Sequence, residues 1–127
     1  MISKGNLYIQ DTPAHGRGVF TRADLEEGEI IEVCPVIPLN ENDLKVLDKT
    51  TLYDYYFLWG NQSNRAAIAL GFGSIYNHDY HANAHYDMDF DARTITIFAL
   101  RPIAAEEEIC INYNGEPDNE DKVWFDK

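Results

Sequence analysis

The most informative stretch of the chain is GFGSIYNH at residues 71–78, an apolar segment that ends in an asparagine and a histidine. It follows AAIAL at residues 66–70, a short apolar run that is typical of a buried strand. Glycines at positions 71 and 73 favour a turn, and we predict a short helical turn before Asn77. Asn77 and His78 can both donate and accept hydrogen bonds, so their place at the end of an apolar segment indicates a candidate functional site.

Short strands separated by turn residues are predicted on either side of this stretch. These strands cover residues 7–9, 29–37, 84–90, 94–100 and 108–113. Residues 91–93 join two of them and indicate a hairpin. Residues 40–49 favour a short helix, with Asn40 or Asn42 as its N-cap and Leu44 and Leu47 on one face. The sequence therefore predicts a mainly β fold of several short sheets with small helices.

Length and charge restrict the kinds of protein that this chain can be. At 127 residues it has room for one hydrophobic core, so we expect a single domain, residues 1–127. The net charge of −12 disfavours direct binding of nucleic acid and suits a basic partner, although a negative surface also serves solubility alone. No apolar run approaches the roughly 18 residues of a membrane span, and the N-terminus has no apolar signal segment. We therefore expect a cytoplasmic protein that does not enter a membrane.

A metal site is an alternative interpretation of the central region, because three of the four histidines, His78, His81 and His85, lie there. With Asp79 or Asp87 they could supply a mixed nitrogen and oxygen ligand shell. Such a shell would fit a metal-dependent β-barrel enzyme. The His-Glu-x-x-His pattern of metalloproteases is absent from the sequence, which disfavours this hypothesis.

Several motifs occur in one order and resemble those of the SET domain. They are GRGVF at residues 16–20, DYYF at 54–57, GFGSIYNH at 71–78 with ANA at 82–84, and LRPI at 100–103 with EEICINY at 107–113. Several motifs at the family's spacings are far more specific than any one alone, so the chain is identified as a member of the SET-domain family over about residues 5–115. It is similar to the short members of bacterial or viral type that lack a zinc-binding segment after the domain.

The resemblance implies both a fold and an activity. The fold would be a β-clip with a knot-like C-terminal crossing, in which a tail of residues 114–127 closes the site. The activity would be that of a protein-lysine N-methyltransferase, which moves a methyl group from S-adenosyl-L-methionine to the side-chain amine of lysine. A basic protein or peptide such as a histone tail is the implied substrate, and an acidic surface would suit it. A binding module that kept the fold but lost turnover is the alternative, which an intact Tyr113 disfavours.

Two tyrosines are the catalytic residues that the resemblance implies. Tyr113 would be the central catalytic tyrosine, and Tyr55 the second tyrosine, at the lysine channel or the cofactor. Tyr56 is the competing position for this second role. Methyl transfer is an in-line displacement that needs alignment more than it needs an acid or a base. A free lysine, with a pKa of about 10.4, must also be favoured in its neutral form, which an aromatic, desolvated channel does.

The cofactor-binding residues that the resemblance implies lie in three parts of the chain. They are His15, Gly16, Arg17, Gly18, Asn77, His78, Trp124 and Phe125. The backbone of residues 15–18 would receive the methionine part of the cofactor, with Arg17 near its carboxylate and Asn77 at its amino end. His78 would face the adenine or anchor the central loop. The two aromatic residues of the tail would cover the adenine or line the lysine channel.

The central loop departs from the family pattern more than the rest of the chain. The usual Ser, Cys, Pro and Asp are replaced by Asp79, Tyr80, Ala82 and Asn112. Cys34 and Cys110 lie in apolar surroundings and should be small buried residues, and no later cysteine could bind zinc, so we predict no metal site. Closure of the channel would then pass to the aromatic tail or to a second subunit, and a homodimer is one expected arrangement.

Overall fold

The computed structural model describes residues 2–3, 5–13, 16–60 and 65–113, so His15, Trp124 and Phe125 lie outside the described residues. Within these ranges the strands are β1 (Ile2–Ser3), β2 (Leu7–Thr12), β3 (Gly16–Thr21), β4 (Ile30–Leu39), β5 (Phe57–Trp59), β6 (Arg65–Ala69), β7 (Asn77–His78), β8 (Ala84–Asp89), β9 (Thr94–Ala99) and β10 (Glu108–Ile111). The helices are α1 (Glu41–Leu47) and two 3₁₀ helices, Thr51–Asp54 and Gly73–Ile75. No helix in these ranges is long and apolar enough to cross a membrane. The predicted mainly β fold is confirmed.

Local sequence signals account for most of these elements. The predicted hairpin is present, since β8 and β9 pair along their whole length. Helix α1 begins after Asn40, whose side chain accepts a hydrogen bond from the backbone nitrogen of Asp43 at 2.9 Å and thereby caps the helix. The last strand is shorter than predicted and ends at Ile111. Tyr113 leaves the strand because its backbone N–H is donated to the side chain of His78 instead of to a neighbouring strand.

The strands form two sheets. One has the order β5-β6-β4-β9-β8, with β1 also paired to β4, and the other has the order β2-β3-β10-β7. Strand β4 pairs first with β9, as far as Pro35, and then with β6 from Val36 onward. Proline has no N–H to donate to a ladder, so the change of partner falls where pairing is weakest.

Side chains from both sheets form the main hydrophobic core. Val19 and Ile109 come from one sheet, and Ile95 and Ile97 from the other. A second, smaller cluster contains Leu47 and packs beside α1, β5 and β6. The two cysteines, Cys34 and Cys110, are buried and are not joined in a disulfide, as predicted.

The central and closing motifs meet in a parallel pairing of β7 and β10. Asn77 lies opposite Cys110, and His78 lies opposite Ile111. The backbone nitrogen of Asp79 extends this pairing, with a 3.0 Å hydrogen bond to the carbonyl of Ile111. Parallel neighbours cannot be joined by a tight turn, so the chain makes a long excursion through the β8–β9 hairpin before it returns. This pairing places Tyr113 next to the Asn77–His78 segment.

Candidate active site

His78 holds Tyr113 in position. Its Nδ1 atom accepts the backbone N–H of Tyr113 at 3.1 Å, and the two rings are 6.3 Å apart in an edge-on arrangement. Because Nδ1 is the acceptor, the neutral imidazole carries its proton on Nε2. The ring of Tyr80 packs edge-on against His78 at 4.2 Å. His78 and Tyr113, which the sequence predicts to be site residues, are therefore in direct contact.

The hydroxyl group of Tyr113 is buried and oriented. Its side chain is only 5% exposed, and the hydroxyl donates to the carbonyl oxygen of Tyr76 at 3.0 Å. The ring stacks on Phe57 at 4.9 Å, and the hydroxyl of Tyr86 donates to the Tyr113 carbonyl at 3.4 Å. Burial, with smaller contributions from Tyr86 and Tyr55, raises the pKa of the Tyr113 phenol. The phenol is therefore protonated at neutral pH and acts as a hydrogen-bond donor.

A small cavity of about 50 Å³ lies beside Tyr113. It is lined by Asp54, Tyr55, Ser74, Ile75, Tyr76, Asn77, His78 and Tyr113. Four residues predicted from the sequence, Tyr55, Asn77, His78 and Tyr113, thus converge on one cavity. A space of this size fits an extended side chain better than it fits a whole nucleoside.

Tyr56, the competing position for the second tyrosine, lies elsewhere. Its side chain is 3% exposed and belongs to the smaller hydrophobic cluster with Leu47 and Ala66. Its hydroxyl donates to the Asp48 carboxylate at 3.0 Å. Burial, followed by the hydrogen bond to Asp48, raises the pKa of the Tyr56 phenol. Of the two adjacent tyrosines, only Tyr55 lines the cavity.

Asn77 connects the cavity to strand β3. Its Nδ2 atom donates to the Arg17 carbonyl at 2.9 Å and to Glu108 Oε2 at 2.7 Å. Gly18 lies against the same pair, since a Cβ atom there would be 2.3 Å from Glu108 Oε2. A Cβ atom at position 18 would therefore displace a carboxyl group of the protein itself. The family resemblance instead implies that Gly18 lets the cofactor approach the backbone.

The start of β3, Gly16 and Arg17, pairs with β2 but not with β10, and it is exposed. Gly16 has a φ of 73°, and a Cβ atom there would meet nothing within 4 Å, so this part of the strand faces open space. Arg17 is exposed beside it and could pair with a carboxylate. Because both amide hydrogens of Asn77 are used by Arg17 and Glu108, its Oδ1 atom is the end that could accept from an ammonium group.

Two residues without a predicted role support this site. Asn83 is buried, donates to the Glu108 carbonyl at 2.8 Å and accepts from the Cys110 nitrogen at 2.9 Å, so it anchors β10. Glu108 orients the Asn77 amide. Both lie in segments that match family motifs, and this match is the signal that could have assigned them supporting roles.

The histidines do not form the alternative metal site. His85 packs against the rings of Tyr86 and Phe98, at 5.3 Å and 5.6 Å, whereas His78 packs against Tyr80 and Tyr113. His81 is exposed on the turn between them. Across residues 2–3, 5–13, 16–60 and 65–113, no three His, Cys, Asp or Glu side chains are grouped so as to hold a metal ion.

Comparison with known proteins assigns the family. The SET domain model matches residues 16–114, and the chain therefore belongs to the SET-domain family. A protein of Schizosaccharomyces pombe named histone-lysine N-methyltransferase, H3 lysine-37 specific, is 32% identical over 126 residues, which span 98% of this chain and 80% of that protein. With this family and this relative, the chain is a protein-lysine N-methyltransferase.

Solved structures agree with this fold. A Plasmodium falciparum protein described as a candidate histone methyltransferase superposes with a TM-score of 0.66 at 26% identity, over 89% of this chain and 95% of that one. Polycomb Repressive Complex 2 of Chaetomium thermophilum, bound to S-adenosylmethionine, superposes with a TM-score of 0.74 at 19% identity. The match covers 91% of this chain but 16% of that much longer one, and at this identity it supports the fold alone.

Proposed function

We propose that this protein transfers the methyl group of S-adenosylmethionine to a lysine side chain in a basic protein segment such as a histone tail. The observation that carries the proposal is that Tyr55, Asn77, His78 and Tyr113 all line the same cavity of about 50 Å³. The cofactor, when bound, supplies an electrophilic methyl group on a positively charged sulfur. Everything else that the reaction needs is binding, alignment and exclusion of water, which the residues of the chain can provide.

Strand β3 and Asn77 are proposed to bind the methionine end of the cofactor. Gly16 lets the ligand approach the backbone, and the exposed Arg17 guanidinium can pair with the ligand's carboxylate. The Oδ1 atom of Asn77 can accept a hydrogen bond from the ligand's ammonium group. Glu108 and the Arg17 carbonyl hold the Asn77 amide in the required orientation. His15, Trp124 and Phe125 remain predicted cofactor contacts.

The cavity beside Tyr113 is proposed to receive the target lysine. Asp54 lines it and is exposed, so its carboxylate can attract an approaching ammonium group. The rings of Tyr55 and Tyr113, which also line the cavity, would replace water around the amine. Removal of water disfavours the charged form of lysine, which must lose a proton from a group whose pKa is normally about 10.4. The narrow aromatic part thus favours the nucleophilic amine.

Tyr113 is proposed to orient the amine. Its hydroxyl hydrogen is donated to Tyr76, so the hydroxyl oxygen is the atom that would accept a hydrogen bond from the amine. Because burial raises the pKa of the phenol, Tyr113 is not a base at neutral pH. Its contribution is therefore geometric: it fixes the direction in which the amine lone pair points.

The chemistry of the surface supports a basic substrate. The net charge of −12 favours encounter with a Lys-rich segment by electrostatic complementarity. The name of the fission yeast relative, a histone-lysine methyltransferase, agrees with this class of substrate.

The test combines binding and transfer. Purified protein is incubated with methyl-labelled S-adenosylmethionine and histone H3, and the modified lysine is located by mass spectrometry. Tyr113→Phe should lower kcat by about 100-fold with little change in cofactor Kd, because only the alignment of the amine is lost. Tyr56→Phe removes the hydroxyl of another buried tyrosine, outside the cavity, and should retain wild-type turnover. Cofactor binding without transfer to any basic protein, or full activity in Tyr113→Phe, would overturn the proposal.

A further inference from the structure

A buried carboxyl group lies behind the cavity. Glu32 on β4 is 0% exposed, in a run of β-branched residues where a charged side chain would be expected to face solvent. The pairing of β4 with β9 shifts by one residue between Ile30 and Glu32. This bulge places Glu32 on the same inward face as Cys34 and Val36.

Both oxygens of Glu32 accept hydrogen bonds from the central motif. Oε1 accepts the hydroxyl of Tyr76 at 2.7 Å, and Oε2 accepts the backbone nitrogen of Phe72 at 3.0 Å. Phe72 and Tyr76 flank the 3₁₀ helix Gly73–Ile75. Glu32 therefore clamps both ends of the turn that leads into Asn77. Two donors compensate for the burial of the carboxyl group, which would otherwise be strongly unfavourable.

Tyr76 passes this constraint to the active site. Its side chain is 1% exposed and bonded to Glu32, while its own backbone carbonyl accepts the hydroxyl of Tyr113. Burial, and then the neighbouring Glu32, raises the pKa of the Tyr76 phenol, which therefore stays the donor to the carboxyl group. The side chain and the carbonyl of one residue thus connect Glu32 to the proposed catalytic hydroxyl.

We propose that Glu32 is a positioning residue for methyl transfer, which acts through Tyr76 to hold the carbonyl that orients the Tyr113 hydroxyl. This inference rests on the proposed function of Tyr113. It assigns a role in the reaction to a side chain that does not line the cavity. Gly73 reinforces the arrangement, because a Cβ atom there would be 2.4 Å from Ala69 Cβ, so the turn packs directly against β6.

The decisive variant is Tyr76→Phe, which removes the bond to Glu32 with almost no change of shape. Tyr56→Phe is the matched control: it also removes a buried tyrosine hydroxyl from a carboxylate, but in the cluster away from the cavity. Tyr76→Phe should lower the free energy of unfolding more than Tyr56→Phe, because Glu32 is buried whereas Asp48 is exposed to water. Only Tyr76→Phe should lower kcat, by about 10-fold or more, with the KM values for cofactor and peptide within about twofold of wild type. Glu32→Gln, which offers one acceptor oxygen to two donors, should lower kcat in the same way.

A second measurement does not depend on turnover. In protein labelled with ¹³C at the tyrosine ring carbon that bears the hydroxyl, the Tyr113 resonance should shift in Tyr76→Phe and stay in place in Tyr56→Phe. A shifted resonance together with lowered kcat supports the inference. Wild-type kcat in Tyr76→Phe overturns it, whatever the resonance does. Absence of transfer by the wild-type protein would refute the proposed function itself and this role with it.

Discussion

Replacement of Gly18 by alanine tests how the site is assembled. The added Cβ atom would lie 2.3 Å from Glu108 Oε2, whereas ordinary contacts begin near 3.4 Å, so the carboxyl group must move by about 1 Å. That movement breaks its 2.7 Å hydrogen bond with Asn77. Hydrogen bonds to charged groups contribute about 1.5–3 kcal/mol, and we expect Gly18→Ala to lower the free energy of unfolding by this amount.

A double-mutant cycle separates this clash from a general cost of alanine on β3. Glu108→Ala alone should lose the same hydrogen bond. In that background Gly18→Ala should cost less, because the two nearest atoms, Oε2 and Cδ of Glu108, are gone. The coupling energy between the two substitutions should therefore be about 1.5–3 kcal/mol.

The measurement is equilibrium unfolding in urea, followed by the fluorescence of the buried Trp59. Gly16→Ala is the control, since its φ of 73° makes alanine strained there by about 1–2 kcal/mol without any steric neighbour. Its cost should add to that of Glu108→Ala without coupling. If Gly18→Ala costs the same with and without Glu108, the steric argument is refuted.

Three further outcomes are expected. Asn83→Ala should lower the free energy of unfolding by about 2–4 kcal/mol, because its buried amide makes several hydrogen bonds to β10 and the preceding turn; an unfolding curve that matches wild type would contradict this. Burial is the main cause that raises the pKa of both the Cys34 and Cys110 thiols, so a thiol reagent should label them only after denaturation, and rapid labelling of native protein would be inconsistent with the fold. Burial tends to raise the pKa of Glu107, but hydrogen bonds from the Ala104 backbone and from Arg101 outweigh it and lower the pKa below 4.5. The folded state then binds this proton less tightly than the unfolded state. Glu107 therefore adds to the free energy of unfolding above pH 4.5, and this contribution is lost as the pH falls through the lower folded pKa. In Glu107→Gln, the difference between the free energies of unfolding in urea at pH 7 and pH 4 should be smaller than in wild type. An unchanged difference would refute this role of Glu107.

Elements governed by neighbouring residues were predictable from the sequence. The β8–β9 hairpin and the short helical turn before Asn77 follow from turn residues and apolar runs, and α1 follows from its capping asparagine. The end of β10 was less predictable, because Tyr113 gives its N–H to His78, 35 residues away in the chain. Short-range patterns carry no information about such partners.

The candidate site was predictable only in part. Motif resemblance named Asn77, His78 and Tyr113, but it did not discriminate between Tyr55 and Tyr56. Both are tyrosines in one aromatic run, and the difference between them is which faces the cavity and which reaches Asp48. That choice depends on how α1 and β6 pack around the run, which the pattern of residues along the chain does not specify.

The amino-acid sequence by itself determined the order of short strands, the capped helix and the family to which the chain belongs, because these follow from patterns along the chain. Only the tertiary structure decided that β7 and β10 lie in parallel and that Gly18 faces a carboxyl group of the protein itself. It also decided that Glu32 is buried, since its hydroxyl donor, Tyr76, lies 44 residues further along the chain. A buried carboxyl group is tolerable only where donors meet it, and packing alone brings them there.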